Sequence, residues 1–288
     1  MSYSVKQVLF SLKQSRFLFQ SLIVGLLLFI SAQATAQGDL LISPLRVTFE
    51  GNKKSQEINL ANVGKDTATF AVSVVDYRMN GDGSFEQITV PDSGQNFAGP
   101  YIRFFPRKVT LAPNEAQVVK LQVVKTAQMA NGEYRSHLYF RAVPDEKPLG
   151  ETPKQDTGGI SISLKPIFGI TIPVIIRVGE NDANVTLSDL SFTLSGDTAR
   201  LAMNLNRTGM MSVYGDVKVD YVSPSGKKTQ VKIVKGVGVY TPIPVRRFSV
   251  ELDADKKADY RKGKLHVTYT LQTSDKSEKK AEAEIELK

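Results

Sequence analysis

The stretch "GGISISLKPIFGITIPVIIRVG" (158–179) follows a polar run, "PDEKPLGETPKQDTG" (144–158), that has no apolar periodicity. Ile160, Ile162 and Leu164 alternate with Ser161, Ser163 and Lys165, the period-two signature of a strand with one face for a core. From Ile167 the chain turns apolar on both faces through "IFGITIPVIIRV" (167–178). Such a strand is either the last strand of a closed sandwich or a sheet edge spanning 158–176. An uncovered edge is an aggregation hazard unless a partner pairs with it.

The same texture runs through the chain. Short segments rich in Val, Ile, Thr, Tyr and Phe are separated by Gly, Pro, Asn and Asp, as in all-β sandwiches or barrels. Strands are expected at 40–51, 55–64, 67–79, 101–113, 115–125 and 132–144, with the opening stretch as the seventh. Seven strands fit an immunoglobulin-like sandwich. "NGDG" (80–83) and "MANG" (129–132) are turn signals.

A polar break at "RVGENDA" (177–183) is followed by a second series of strands. In 213–221, Val213, Val217, Val219 and Tyr221 share one face, with Asp216, Lys218 and Asp220 on the other. In the last strand Ala281, Ala283, Ile285 and Leu287 alternate with Glu282, Glu284 and Glu286. The fold class is therefore all-β, with two tandem immunoglobulin-like β-sandwich domains at 37–178 and 179–288.

Residues 1–36 read as a secretory signal peptide. Lys6, Lys13 and Arg16 precede an apolar stretch from Phe17 to Ile30, and Ala34-Thr35-Ala36 forms a small-x-small cleavage site before Gln37. No later segment reaches transmembrane length, so no membrane span is expected after cleavage. Removing the three basic residues from the 37 Lys and Arg leaves 34 against 29 Asp and Glu, a net charge of +5. These charges are dispersed and do not interleave with aromatics, so nucleic acid is not an expected partner. Cysteine is absent, so an exported chain of this kind is held by its cores alone.

Catalytic and metal chemistry find little support. The two histidines, His137 in "YRSHLYF" and His266 in "GKLHVTYT", each sit mid-strand without companion ligands, and both read as structural. "GDG" (81–83) and "GVG" (236–238) precede no helix and read as turn glycines rather than phosphate cradles. No catalytic residue, metal or cofactor is expected, and the protein is not expected to be an enzyme. What remains is interaction, with the 158–176 edge suited to strand addition.

Three segments occur in order: "LRVTFEGNKKSQEINLANVG" (45–64), "YIRFFPRKVTLAPNEAQVVKLQV" (101–123) and "NGEYRSHLYFRAVP" (131–144), with a variable loop before the last strand. Together they resemble the PapD-like periplasmic pilus-assembly chaperones over about residues 39–176, while the second half is similar only as a β-sandwich of the right size. The resemblance implies a periplasmic chaperone that caps pilin-like subunits by donating a strand, with an outer-membrane usher as a further partner. With no nucleotide motif, release would be driven by a competing strand. The donor residues implied are Ile160, Ile162 and Leu164, each contributing about 1.5–3 kcal/mol if fully buried in a subunit groove.

Arg46 takes the place of the family's cleft arginine, which holds the subunit's terminal carboxylate; a guanidinium does this bidentately and stays charged. The family's second anchor is a lysine on the last strand. Here that place falls at Phe168 or Gly169, and Lys165 is the nearest basic residue. A bulge around "KPIFG" would bring Lys165 into the cleft; otherwise the second anchor is missing or comes from elsewhere. A different class stays open, an exported structural or adhesive scaffold whose own chain covers the 158–176 edge.

Overall fold

The computed structural model describes residues 40–144, 167–180, 182–253, 258–272 and 280–287. The segment read as a signal peptide, the donor residues Ile160, Ile162 and Leu164, and Lys165 all lie outside the described residues. No helix among the described residues is long and apolar enough to cross a membrane.

The first sandwich contains β1 (Leu40–Ser43), β2 (Val47–Phe49), β3 (Ser55–Asn62), β4 (Ala68–Met79) and β5 (Phe85–Ile88). It continues with β6 (Ile102–Phe105), β7 (Lys108–Leu111), β8 (Ala116–Val123), β9 (Gly132–Val143) and β10 (Gly169–Val178). One sheet has the order β1-β3-β8-β6; the other runs β2-β10-β9-β4-β5, with β7 also pairing β4. Two expected strands, 40–51 and 101–113, are each broken in two and cross between sheets. β1 pairs β3 while β2 pairs β10, and β6 pairs β8 while β7 pairs β4. Pro44 and Pro106 stand at the crossings, where a residue without an N–H cannot continue a ladder. Ile58, Leu60, Val119, Leu121, Leu138, Phe140, Ile172 and Val174 fill the core between the sheets.

The second sandwich contains β11 (Asn184–Ser195), β12 (Thr198–Thr208), β13 (Val213–Val222), β14 (Lys228–Val239), β15 (Val245–Glu251), β16 (Lys264–Leu271) and β17 (Lys280–Glu286). Its sheets are β11-β12-β15 and β14-β13-β16-β17. The alternation in 213–221 holds: Val213, Val217, Val219 and Tyr221 are buried in a core with Leu201, Leu205, Leu265 and Val267. Gly236-Val237-Gly238 is not a turn. It lies inside β14, beside a register shift against β13, and Gly236 has φ +73°, the left-handed conformation that bulges assign to glycine.

The edge expected over 158–176 is shorter than the sequence suggests. β10 pairs β9 along its whole length, but Val174, Ile175 and Ile176 also pair in parallel with Val47, Thr48 and Phe49 of β2. On that side, Gly169–Pro173 has no strand neighbour among the described residues.

Candidate functional site

In β9 the side chains of Glu133, Arg135 and His137 alternate with Tyr134, Ser136 and Leu138. Tyr134 and Leu138 enter the first core, which turns the other three out of it, yet all three are buried. They are covered from the second sandwich and by aromatic rings. Met79 and Ile175 of the first sandwich pack with Tyr240, flanked by Tyr214 and Ile243, into a small apolar cluster between the sandwiches.

Two of the guanidiniums at this junction lie against the Tyr214 and Tyr240 rings. Arg46, immediately before β2, donates from Nη1 to the Tyr240 hydroxyl and stacks 4.2 Å from the centroid of the Tyr214 ring. Arg135, only 2% exposed, lies 4.6 Å from the Tyr240 ring centroid and 5.9 Å from that of Phe85. Its Nη2 donates to the Tyr77 carbonyl at 3.2 Å. Aromatic faces attract cations but satisfy no N–H. Arg46 Nη2, Arg135 Nε and Arg135 Nη1 are buried without hydrogen-bond partners, as are His137 Nδ1 and Arg246 Nε. Of such nitrogens among the described residues, only Arg78 Nε belongs elsewhere.

The nearby carboxylates are already engaged. Glu133 accepts from Arg177 Nε at 3.1 Å and from the Ser212 backbone N–H at 3.0 Å. Asp76 accepts from the Ser136 hydroxyl, and burial raises its pKa above the ordinary carboxylate value. His137 sits in a ring box, with Tyr77 at 5.0 Å and Phe85 at 6.1 Å between centroids. Burial, then the Arg135 and Arg46 charges, push its imidazole down to about 3, so it is neutral at physiological pH. Burial also lowers the pKa of Arg135. The result is a dry, positively charged cluster with donors in excess, a combination that disfavours cations and suits an anion able to accept several hydrogen bonds.

The part of β10 with no second strand neighbour among the described residues leads to this cluster. Its last free residue, Pro173, pairs with His137 across β9, and β2 takes over at Val174, directly after Arg46 in the parallel register. Exposed apolar groups border the edge: Leu45 at 70%, Phe168 at 56% and Ile167 at 50%.

Arg46, the residue expected at the cleft, lies beside Tyr214 and Tyr240 of the second sandwich. Arg135, Tyr214 and Tyr240 were not singled out, and His137, expected to be structural, forms part of the cluster wall. His266 is remote from it, bonded through Nδ1 to Glu284 at 3.1 Å. No group of three or more His, Cys, Asp or Glu among the described residues is arranged to hold a metal. The signal in the sequence was "EYRSHL": three polar residues on one face of a strand whose other face is core, in a segment too apolar around it for an exposed sheet.

No family model matches the chain, and no curated protein matches it. Solved structures do. The YadV chaperone is 15% identical with a TM-score of 0.44, over 87% of this chain and 100% of that one. The CupB2 chaperone of Pseudomonas aeruginosa is 12% identical with a TM-score of 0.42, over 84% and 98%. A chain of the CsuC–CsuE chaperone–tip adhesion subunit pre-assembly complex, from the archaic chaperone-usher Csu pili of Acinetobacter baumannii, is 13% identical with a TM-score of 0.45, over 85% and 98%.

Proposed function

We propose that this protein is a non-enzymatic periplasmic chaperone that captures pilin-like subunits by strand addition at β10. The sandwich assigned to 37–178 would hold the subunit before release to an outer-membrane usher. The observation that carries this reading is the meeting of an open strand edge with buried, unpartnered guanidinium donors. Each unpaired buried donor is costly in the free protein, and a ligand that satisfies it recovers that cost.

A strand added along Gly169–Pro173 gains main-chain hydrogen bonds there. If it ran parallel to β10 it would be collinear with β2 and would end beside Arg46. Its terminal carboxylate would then meet the donors of Arg46 and Arg135. Arg135 takes the part that the sequence resemblance offered to Lys165. Upstream of the described edge, Ile160, Ile162 and Leu164 extend the same alternation and would fill the subunit's groove.

The test is co-expression in a bacterial periplasm with candidate pilin-like subunits from the same genome. A soluble one-to-one complex, lost on Arg46→Ala with Arg135→Ala, is expected. A folded, monomeric protein that takes up none of these subunits overturns the reading in favour of a two-sandwich scaffold.

A further inference from the structure

The second sandwich touches both guanidiniums of the cleft pair through the rings of Tyr214 and Tyr240. We propose that Gly236 and Gly238 form a bare floor on β14 that seats Tyr214 and Tyr240 as a shelf. The shelf positions Arg46 and Arg135 and so makes the second sandwich a working part of the anion site. This rests on the reading that those arginines receive a carboxylate.

The floor is defined by what a side chain there would strike. A Cβ at Gly236 would lie 2.4 Å from the Tyr214 hydroxyl oxygen. At Gly238 it would lie 3.0 Å from Tyr240 Cε2 and 3.4 Å from Tyr214 Cδ2. Both rings therefore fill the space that the two glycines leave open. Arg246 holds the floor from another side, donating from Nη1 to the Gly238 carbonyl at 2.6 Å.

On the shelf, Tyr214 carries Arg46 at 4.2 Å and Tyr240 carries Arg135 at 4.6 Å. Tyr240 also accepts a hydrogen bond from Arg46. Two guanidiniums sharing one neighbour repel each other and, unsupported, would turn toward water. The ring faces offset that repulsion without consuming the remaining N–H groups. The donors are thus held in place and stay available, which is the requirement for a preorganised site.

The experiment compares an alternating apolar peptide bearing a free terminal carboxylate with its amide-capped form, by calorimetric titration. Wild type should prefer the acid by about tenfold, the scale of a charge-assisted hydrogen-bond pair. Tyr214→Phe keeps the ring and should keep the preference. Tyr214→Leu and Gly238→Ala should reduce it to about twofold or less, with amide affinity unchanged. Thermal unfolding of each variant must remain cooperative; should Gly238→Ala fail to fold, Tyr214→Leu decides. If Tyr214→Leu and Gly238→Ala retain the full preference while Arg135→Ala loses it, the shelf is refuted and the anion site stands. If wild type shows no preference for the acid, both are overturned.

Discussion

Glu133 and Ser212 join the two sandwiches: the Glu133 carboxylate accepts from both the backbone N–H of Ser212, at 3.0 Å, and its hydroxyl. Arg177 completes the junction, bonding Glu133 at 3.1 Å, Glu50 at 2.6 Å and the Ser212 carbonyl at 3.0 Å. The Glu133 side chain has no exposure at all, so these partners take the place of water around its carboxylate. On the proposed function, this junction sets the orientation of the two sandwiches at the anion site.

Removing Arg177 takes from the buried Glu133 carboxylate its ion-pair partner. Arg177→Ala should destabilise the protein by about 3–5 kcal/mol, the usual result of breaking a buried pair from one side. Differential scanning calorimetry should show a lower Tm and a transition that separates into two, one per sandwich. An unchanged single transition would show that the junction does not couple them.

On the proposed function, Arg135 serves binding at the expense of stability. Arg135→Met replaces a buried, partly unsatisfied guanidinium with an apolar chain of similar length. It should stabilise the free protein by about 1–3 kcal/mol in urea titrations while abolishing preference for a terminal carboxylate. Loss of stability on this change would mean that Arg135 serves the fold.

His137 should make stability depend on pH. Its folded pKa of about 3 lies below its ordinary 6.5, so the unfolded chain binds the proton more readily. The neutral folded form contributes fully above about pH 6.5, and stability falls as pH drops from there toward about 3. The total loss is about 4–5 kcal/mol, at about 1.4 kcal/mol per pH unit. His137→Phe, whose ring suits the same aromatic box, should flatten this part of the urea-denaturation profile. Parallel profiles for the two proteins would contradict the assignment.

The strands were legible wherever one face met a core, as in Val217, Val219 and Tyr221. β5 was not, because in Phe85–Ile88 only Ile88 is buried and no alternation survives. The breaks at Pro44 and Pro106 were visible as residues, but whether a proline ends a strand or carries it to the other sheet depends on tertiary pairing. Arg46 was expected at the cleft through its motif. Arg135 was not, because a charged residue on one strand face ordinarily means solvent, and Tyr240, the nearer of the rings against it, belongs to the other sandwich. The edge was over-extended to Ile176 because the parallel pairing of Val174 with Val47 joins segments far apart in the chain.

Ile162 lies outside the described residues and, on the proposed function, points into a subunit groove. Ile162→Asp should weaken subunit capture at least tenfold, since a buried isoleucine contributes about 1.5–3 kcal/mol and a buried carboxylate adds a penalty. The Tm of the free protein should not change. Equal recovery of complex with wild type and variant would remove 158–165 from the docking mode.

The central claim is that a partner strand pairs with β10 at Gly169–Pro173. The protein has no cysteine, so a single Thr171→Cys can be paired with cysteines walked along the subunit's last strand and oxidised in the periplasm. A disulfide needs Cα atoms about 4.4–6.8 Å apart, so strand pairing predicts cross-linking at one register and its near neighbours on the same face, alternating with silence. A complex that forms normally yet cross-links at no register, or equally well at all of them, would contradict strand addition at this edge.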